Sequence, residues 1–479
     1  MSIKALQPQA LWSHFADLNA VPRPSKQEER VRQFVKGFGE SLGLTTTVDE
    51  VGNVLILKPA TPGREERPTI LLQGHIDMVH QKNADTNFDF NTEGIRMLIN
   101  GDWVEADGTT LGADNGIGVA AIMAVLSDKG TISHPPLEAL FTIDEETGMT
   151  GAIGLKHGVL KAKYMLNLDT EDDRELTIGC AGGIDVTAHG TYQTESAPAG
   201  GKGLRLTVRG LSGGHSGMDI IKGLGNANKL LTRLLLSAEA NGFSLGKFDG
   251  GGLRNAIPRE AFAELIVDDI SAFEKAIASA KTIIEAEYSV TDPNLEIVVE
   301  PVDAPSKVLS ATFQKQILRA LQATPNGIWR MSPDVEGLVQ TSNNLARVLV
   351  SDGKFEVLCL TRSSVDTEKY DEVASIRSVF ELIGAEISTD GTYPGWTPLP
   401  QSTLLTTMRD LYVKRFNEEP HVNACHAGLE CGIIGEKNPG MEMISFGPNI
   451  TGAHSPDERV QISSVQKFWG YFVEALGAL

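Results

Sequence analysis

At 479 residues the chain is too long for one ordinary hydrophobic core, so two or more domains are expected. Its apolar (41%) and charged (22%) fractions are those of a soluble globular protein. A net charge of -20, from 62 acidic against 42 basic side chains, repels phosphate backbones and anionic membranes and argues against both as partners. No stretch approaches the roughly 18–20 apolar residues of a membrane helix. Cys180, Cys359, Cys425 and Cys431 form no C-x-x-C pair, and no apolar run of signal-peptide length follows Met1. A cytoplasmic protein with reduced thiols is expected.

In chain order, residues 9–20 and 26–43 read as helices, the second with Ser25 as its N-cap and Glu28 three residues on. Residues 51–58 and 69–73 read as buried strands, 116–127 as an apolar Ala-rich helix, and 137–143 and 164–168 as further strands. This alternation predicts an α/β domain with a largely parallel central sheet, in which chemistry gathers at the carboxyl ends of the strands. From about residue 186 the texture changes. Alternating runs at 203–208 and 261–267, with helices at 225–240 and 270–288, predict an α+β domain with an antiparallel sheet. A helix at 311–323, strands near 339–350 and 356–362, a helix at 370–384 and a strand at 385–389 repeat that order. Residues 186–394 are therefore expected to be an inserted domain of two similar halves. The Pro/Gly-rich joint 391–400 leads into a helix at 402–416 and a strand at 442–446, so that 1–185 and 395–479 form one domain.

Six dispersed side chains then suggest one site. His75 and Asp77 share a strand face, so His75 can bind metal while Asp77 orients its ring. Asp114 stands in the glycine-rich run 112–118, where a short carboxylate can offer an oxygen to each of two ions, or else cap the helix behind it. Glu145 and Glu146 would diverge on an extended strand, but at its terminus both can face one cavity. One would bind metal and the other move protons, and spacing does not divide the roles. Asp169 follows the strand at 164–168, and His454 sits in a Gly/Pro loop. Taken singly, each is as readily a cap, a solvated acid or a surface imidazole. Together, two imidazoles and several carboxylates suit a pair of divalent ions such as zinc, cobalt or manganese, which polarise a carbonyl and activate water. The chain reads as a metal-dependent hydrolase.

The runs 108–118, 179–185, 213–217, 223–230, 253–263 and 426–432 span most of the chain, and through them it resembles the glutamate-carboxypeptidase-like family of co-catalytic zinc peptidases. The resemblance implies a zinc-peptidase-type α/β catalytic domain with an inserted α+β lid. It implies that Asp114 bridges two divalent ions, that His75 and Asp169 complete one and Glu146 and His454 the other, and that a cis peptide follows Asp114. Asn115 stands where the wider family usually has an acid. Glu145 would be general base and then acid, and Asp77 would steady His75. From the lid, His215 would reach the substrate carbonyl, and Asn255 and Arg362 would bind the polar ends, with Arg254 and Arg259 competing with Arg362 for a free carboxylate. The implied reaction is hydrolysis of unblocked dipeptides, Xaa-His and β-alanyl-histidine included, by a metal-bridged hydroxide. An amidase or deacylase of N-acyl amino acids could use the same cage, and a non-catalytic binding protein with structural metals is a third reading. The duplicated lid either mimics a dimer contact within one chain or supports a real homodimer.

Overall fold

The strands Ile70–His75, Leu137–Thr142 and Tyr164–Asn167 are mostly apolar and buried at every position, the pattern of strands covered on both faces. In the computed structural model, which describes residues 2–479, Ile70–His75 lies between the other two and pairs with both in parallel. Glu442–Ser445 extends the parallel set beside Tyr164–Asn167. The edges run the other way. Thr45–Val48 and Val54–Lys58 form a hairpin, Val54–Lys58 pairs antiparallel with Leu137–Thr142, and Glu175–Cys180 is antiparallel to Glu442–Ser445. His421–Cys425 completes an eight-stranded sheet. The expected largely parallel sheet is thus a mixed one, parallel at its centre. One antiparallel pairing has a local cause: Asp49 Oδ1 accepts the amides of Val51, Gly52 and Asn53, a tight turn that makes Thr45–Val48 and Val54–Lys58 a hairpin.

Helix Ala113–Ser127 is buried throughout 115–126 and packs against the sheet and against helix Gln9–Asn19. Helix Ile462–Ala478, not among the predicted elements, lies against Thr403–Phe416, where the Tyr471 hydroxyl donates to the Met408 carbonyl at 2.7 Å. A second small sheet pairs Trp103–Ala106 with Met97–Asn100 and Arg459–Gln461, and Arg459–Gln461 with Ile450–Thr451. His454 sits on the hairpin between the last two. The second predicted helix begins at Glu29, and Ser25 does not cap it. Lys26 has φ 69°, and the Ser25 hydroxyl turns inward to Asp77 Oδ2 at 2.8 Å. No helix among the described residues is long and apolar enough to cross a membrane.

Internal contacts divide the chain into two units, Met1–Gly179 with Trp396–Ala424 and Leu429–Leu479, and Cys180–Gly395 with Cys425–Gly428. Residues 180–185, 395 and 425–428, placed by the sequence in the first domain, go with the second unit. That unit is built on a nine-stranded sheet whose pairings are all antiparallel. One half runs Lys202–Arg209, helix Ala227–Ser237, Phe243–Gly251, Ala261–Val267, helix Ile270–Glu287, Glu296–Pro301. The other begins with Gly182–Thr191 and resumes at helix Ala311–Ala323, then Val339–Ser351, Lys354–Ser363, helix Asp366–Glu381 and Glu386–Tyr393. In each half the fourth strand lies beside the first, and the third separates the first from the second. The halves meet where Phe248–Gly251 pairs with Arg347–Val350. The first half is therefore inserted between the first strand and first helix of the second, a nesting that element order alone did not reveal.

Candidate active site

Four of the expected site residues follow from three strand ends. His75 is the last residue of Ile70–His75, Asp169 lies two residues beyond Tyr164–Asn167, and the Glu pair follows Leu137–Thr142. The three strands are parallel, so these side chains emerge at one edge. Asp144, with φ 52°, turns the chain out of its strand into the short helical turn Glu145–Gly148. That turn is what lets adjacent glutamates serve one cavity. Behind them Asp77, fully buried, accepts the Glu145 amide on Oδ1 (3.1 Å) and the Glu146 amide on Oδ2 (3.3 Å), and its Oδ1 lies 3.4 Å from His75 Nδ1. Asp77 thus holds both the imidazole and the turn that carries the glutamates.

Asp114 is at the centre. Its Oδ1 lies 3.1 Å from His75 Nε2 and its Oδ2 3.3 Å from His454 Nε2. His75 Nε2 is also 3.4 Å from Asp169 Oδ1, and His454 Nε2 is 2.9 Å from Glu146 Oε2. Ligand atoms of His75, Asp114 and Glu146 all fall within 4.8 Å of one another. Asp169 Oδ1 and Glu146 Oε1 are buried without a hydrogen bond, which is costly unless something else meets them. This donor set, with one carboxylate turned to two imidazoles and orphaned oxygens on either side, fits a pair of divalent cations. The Asp114–Asn115 peptide is cis, and Asn115 Nδ2 donates to the Leu168 carbonyl at 2.6 Å, joining this loop to the one that carries Asp169.

Several supports went unseen in the sequence. Arg23, 1% exposed, donates to the carbonyls of Asp77 (2.9 Å) and Gly112, and to Asn19 Oδ1. Gly112, at φ 68°, has no room for a side chain beside that guanidinium. Glu430 is buried, accepts from Gln73 Nε2 and Thr142 Oγ1, both at 2.6 Å, and is pushed up to about 8 mainly by burial. No local pattern marks either residue, because the site groups they hold are remote in the chain.

Without metal the cage holds protons instead. Burial pushes the Glu145 carboxyl well above its ordinary value; His75 opposes this, and Asp169, Glu430 and Glu146 add to it. Burial likewise lifts Asp169 to about 6, against the pull of His75. Burial also works to raise Asp114, but hydrogen bonds from His454 and His75 hold it below the usual range. His454 is pulled up to about 11 by hydrogen bonding to Asp114 and Glu146.

The second unit holds the remaining expected residues. His215 Nδ1 accepts the amides of Gly217 (3.2 Å) and Met218 (3.1 Å), so its proton resides on Nε2, which is left as a donor. Burial, then Arg362, keeps it below its ordinary pKa and neutral. Gly217 is required there, because a Cβ would come within 2.2 Å of the His426 carbonyl oxygen. Asn255 is exposed and accepts the Ser216 amide through its own carbonyl (2.8 Å), which puts it next to His215. Arg362 is buried, bonded to the Tyr393 hydroxyl (3.0 Å) and near Ser216 Oγ (3.5 Å), with no ion-pair partner among the described residues. Its competitors are committed elsewhere. Arg254 is engaged with Asp185 (3.2 Å), Thr187 and the carbonyls of Val186 and Cys359, and Arg259 with the Leu211 carbonyl.

A mixed α/β unit with a carboxylate-imidazole cage at its strand ends, joined in sequence to an antiparallel α+β unit, defines a class of metal-dependent peptide hydrolases. The chain belongs to peptidase family M20/M25/M40, whose model matches residues 71–477. It is 44% identical over 477 residues to cytosol non-specific dipeptidase of Escherichia coli (strain K12), covering 99% of this chain and 98% of the relative. The crystal structure of aminoacylhistidine dipeptidase from Vibrio alginolyticus matches with TM-score 0.95 at 43% identity, over 100% of this chain and 98% of that one. Aminopeptidase PepT from Bacillus cereus shares the fold at TM-score 0.58 and 15% identity, over 99% of each chain.

Proposed function

We propose that the chain is a cytoplasmic dipeptidase that hydrolyses unblocked dipeptides, Xaa-His among them, with two divalent metal ions, zinc foremost. The observation that carries this reading is Asp114, which turns one oxygen to His75 and the other to His454 while the unpaired glutamate Glu145 stands in the same cavity. His75 and Asp169 would hold one ion, Glu146 and His454 the other, and Asp114 both. Bound there, the ions supply Lewis-acid polarisation of the peptide carbonyl and a water acidic enough to react near neutral pH. Glu145 accepts the proton of the attacking water and delivers it to the leaving amine. From the second unit, His215 donates Nε2–H to the developing oxyanion, Arg362 pairs with the free carboxylate, and Asn255 meets a polar end of the substrate.

An acylase would share most of this machinery. What favours an unblocked dipeptide is the likeness over the whole chain to a cytosol non-specific dipeptidase and to an aminoacylhistidine dipeptidase. The test is kcat/KM for glycyl-histidine, β-alanyl-histidine and alanyl-alanine against their N-acetyl and N-succinyl analogues, with zinc, cobalt or manganese restored. We expect the unblocked series to lead by about 100-fold or more, as polar-group discrimination allows; leadership by the acylated series would reverse the assignment. Arg362→Met should cost dipeptides roughly 30-fold or more in kcat/KM, mostly through KM, and leave dipeptide amides little changed.

The His454 shift gives a pH prediction. Its folded pKa lies above the ordinary 6.5, so the metal-free cage is stabilised in full below about 6.5 and loses that contribution as pH rises through about 11. A cation must displace the same proton, so metal affinity rises with pH across this window. Calorimetric titration at pH 7.5 in buffers of different ionisation enthalpy should show about one proton released per chain from this imidazole, and His454→Ala should remove it.

A further inference from the structure

Glu458 has contacts that catalysis alone does not explain. It is 3% exposed and takes four consecutive backbone amides. Oε2 accepts Leu111 (2.7 Å) and Gly112 (2.9 Å), and Oε1 accepts Ala113 (2.7 Å) and Asp114 (3.2 Å). Those four residues are the loop that presents Asp114. Glu458 lies four residues beyond His454, at the base of the same hairpin, where its amide donates to the Ser455 carbonyl at 3.1 Å. One carboxylate therefore ties the late loop with His454 to the early loop with Asp114, across more than 340 residues of sequence. Arg23 grips the opposite side of the early loop through the Gly112 carbonyl.

Resting on the two-metal reading above, we propose that Glu458 is a positioning residue that locks the His454 hairpin to the Asp114 loop and so sets the affinity of the metal position His454 completes. A carboxylate suits the task because its two oxygens together receive all four N–H groups. A glutamine of the same shape would turn an NH2 toward two of them. Simple stability is the competing account, and the chain supplies a control for it. Glu138, 5% exposed, also spends its carboxylate on backbone amides, those of Lys161 (3.0 Å to each oxygen) and Ala162 (3.1 Å). It sits four residues before Thr142, away from the strand end that bears the site.

The experiment strips the full chain of metal and titrates it with zinc against a chromophoric competitor, for wild type, E458Q and E138Q, with the cobalt absorption spectrum and thermal midpoint recorded alongside. For E458Q we expect one zinc to bind as in wild type and the second about 10–100-fold more weakly, the range seen when an outer partner of a ligand is lost. The cobalt spectrum should change for that ion only, and kcat lost at limiting zinc should return at saturating zinc. E138Q should bind both ions normally even where its thermal midpoint falls as far. If E458Q does not fold, E458D, one methylene shorter, should show the same selective loss in smaller measure. Unchanged binding of both ions in E458Q or E458D, or an equal loss in E138Q at matched midpoint, overturns the inference. A wild type that holds fewer than two ions overturns the two-metal reading and this inference with it.

Discussion

Glu145→Gln is expected to keep both metal ions and lose about 10²–10⁴-fold in kcat, the range for removing a positioned general acid–base. The structure separates Glu145 from the ligands on two grounds. None of its oxygens is within salt-bridge reach of either imidazole, whereas Glu146 Oε2 is 2.9 Å from His454. Its carboxyl is also the one that burial, with Asp169, Glu430 and Glu146, pushes well above the ordinary range despite His75. An acid so placed holds a proton more tightly than a solvated glutamate, which helps in the step that protonates the leaving amine. Bound cations pull the same group down, which helps in the step that takes a proton from water. Glutamine copies the shape and removes both abilities. Zinc per chain, measured by plasma emission, should stay at the wild-type value, and KM should move little because no substrate contact is lost. A variant with near-wild-type kcat would falsify the role, and one that lost metal would make Glu145 a ligand.

What could be read from the sequence was whatever local periodicity marks. Strand ends place His75, Asp169 and the Glu pair, because buried parallel strands show as short apolar runs and their carboxyl ends share an edge. That Glu145 and Glu146 can both face one cavity needed a backbone fact, the positive φ of Asp144, that residue type does not announce. Ser25 shows the opposite failure. A serine three residues before a glutamate has the pattern of a helix cap, yet its hydroxyl meets Asp77 instead, since a buried carboxylate competes successfully for a nearby O–H donor. Arg23, Glu430 and Glu458 were invisible for another reason. The site groups they hold lie from 53 to 357 residues away, so only the folded chain brings donor and acceptor together. Gly182–Thr191 was missed because it is the first strand of a half whose remainder begins more than a hundred residues later.

Asp114→Ala is expected to lose both ions, with zinc affinity falling by more than about 10³-fold, beyond the roughly 10–100-fold cost of an outer-partner change. Asp114 is the one carboxylate that faces both imidazoles, at 3.1 Å and 3.3 Å, so its removal strips a donor from each metal position at once. Asp169→Ala, which leaves the His454 side intact, should forfeit one ion only. The fold itself should survive. Asp114 sits among Asp169, Glu146 and Glu458, and its charge raises the pKa of Asp169 and Glu458. Deleting it relieves that repulsion but breaks its hydrogen bonds with His75 and His454, the interactions that win at Asp114, so the metal-free thermal midpoint should fall, and zinc should no longer raise it. In the metal-free variant His454 loses its largest upward pull and should titrate below its value of about 11, with Glu146 as the remaining partner, which an NMR titration of the imidazole would follow. Two ions bound at wild-type affinity in Asp114→Ala would mean that this carboxylate bridges nothing, and the centre would have to be rebuilt around Glu146 and Asp169.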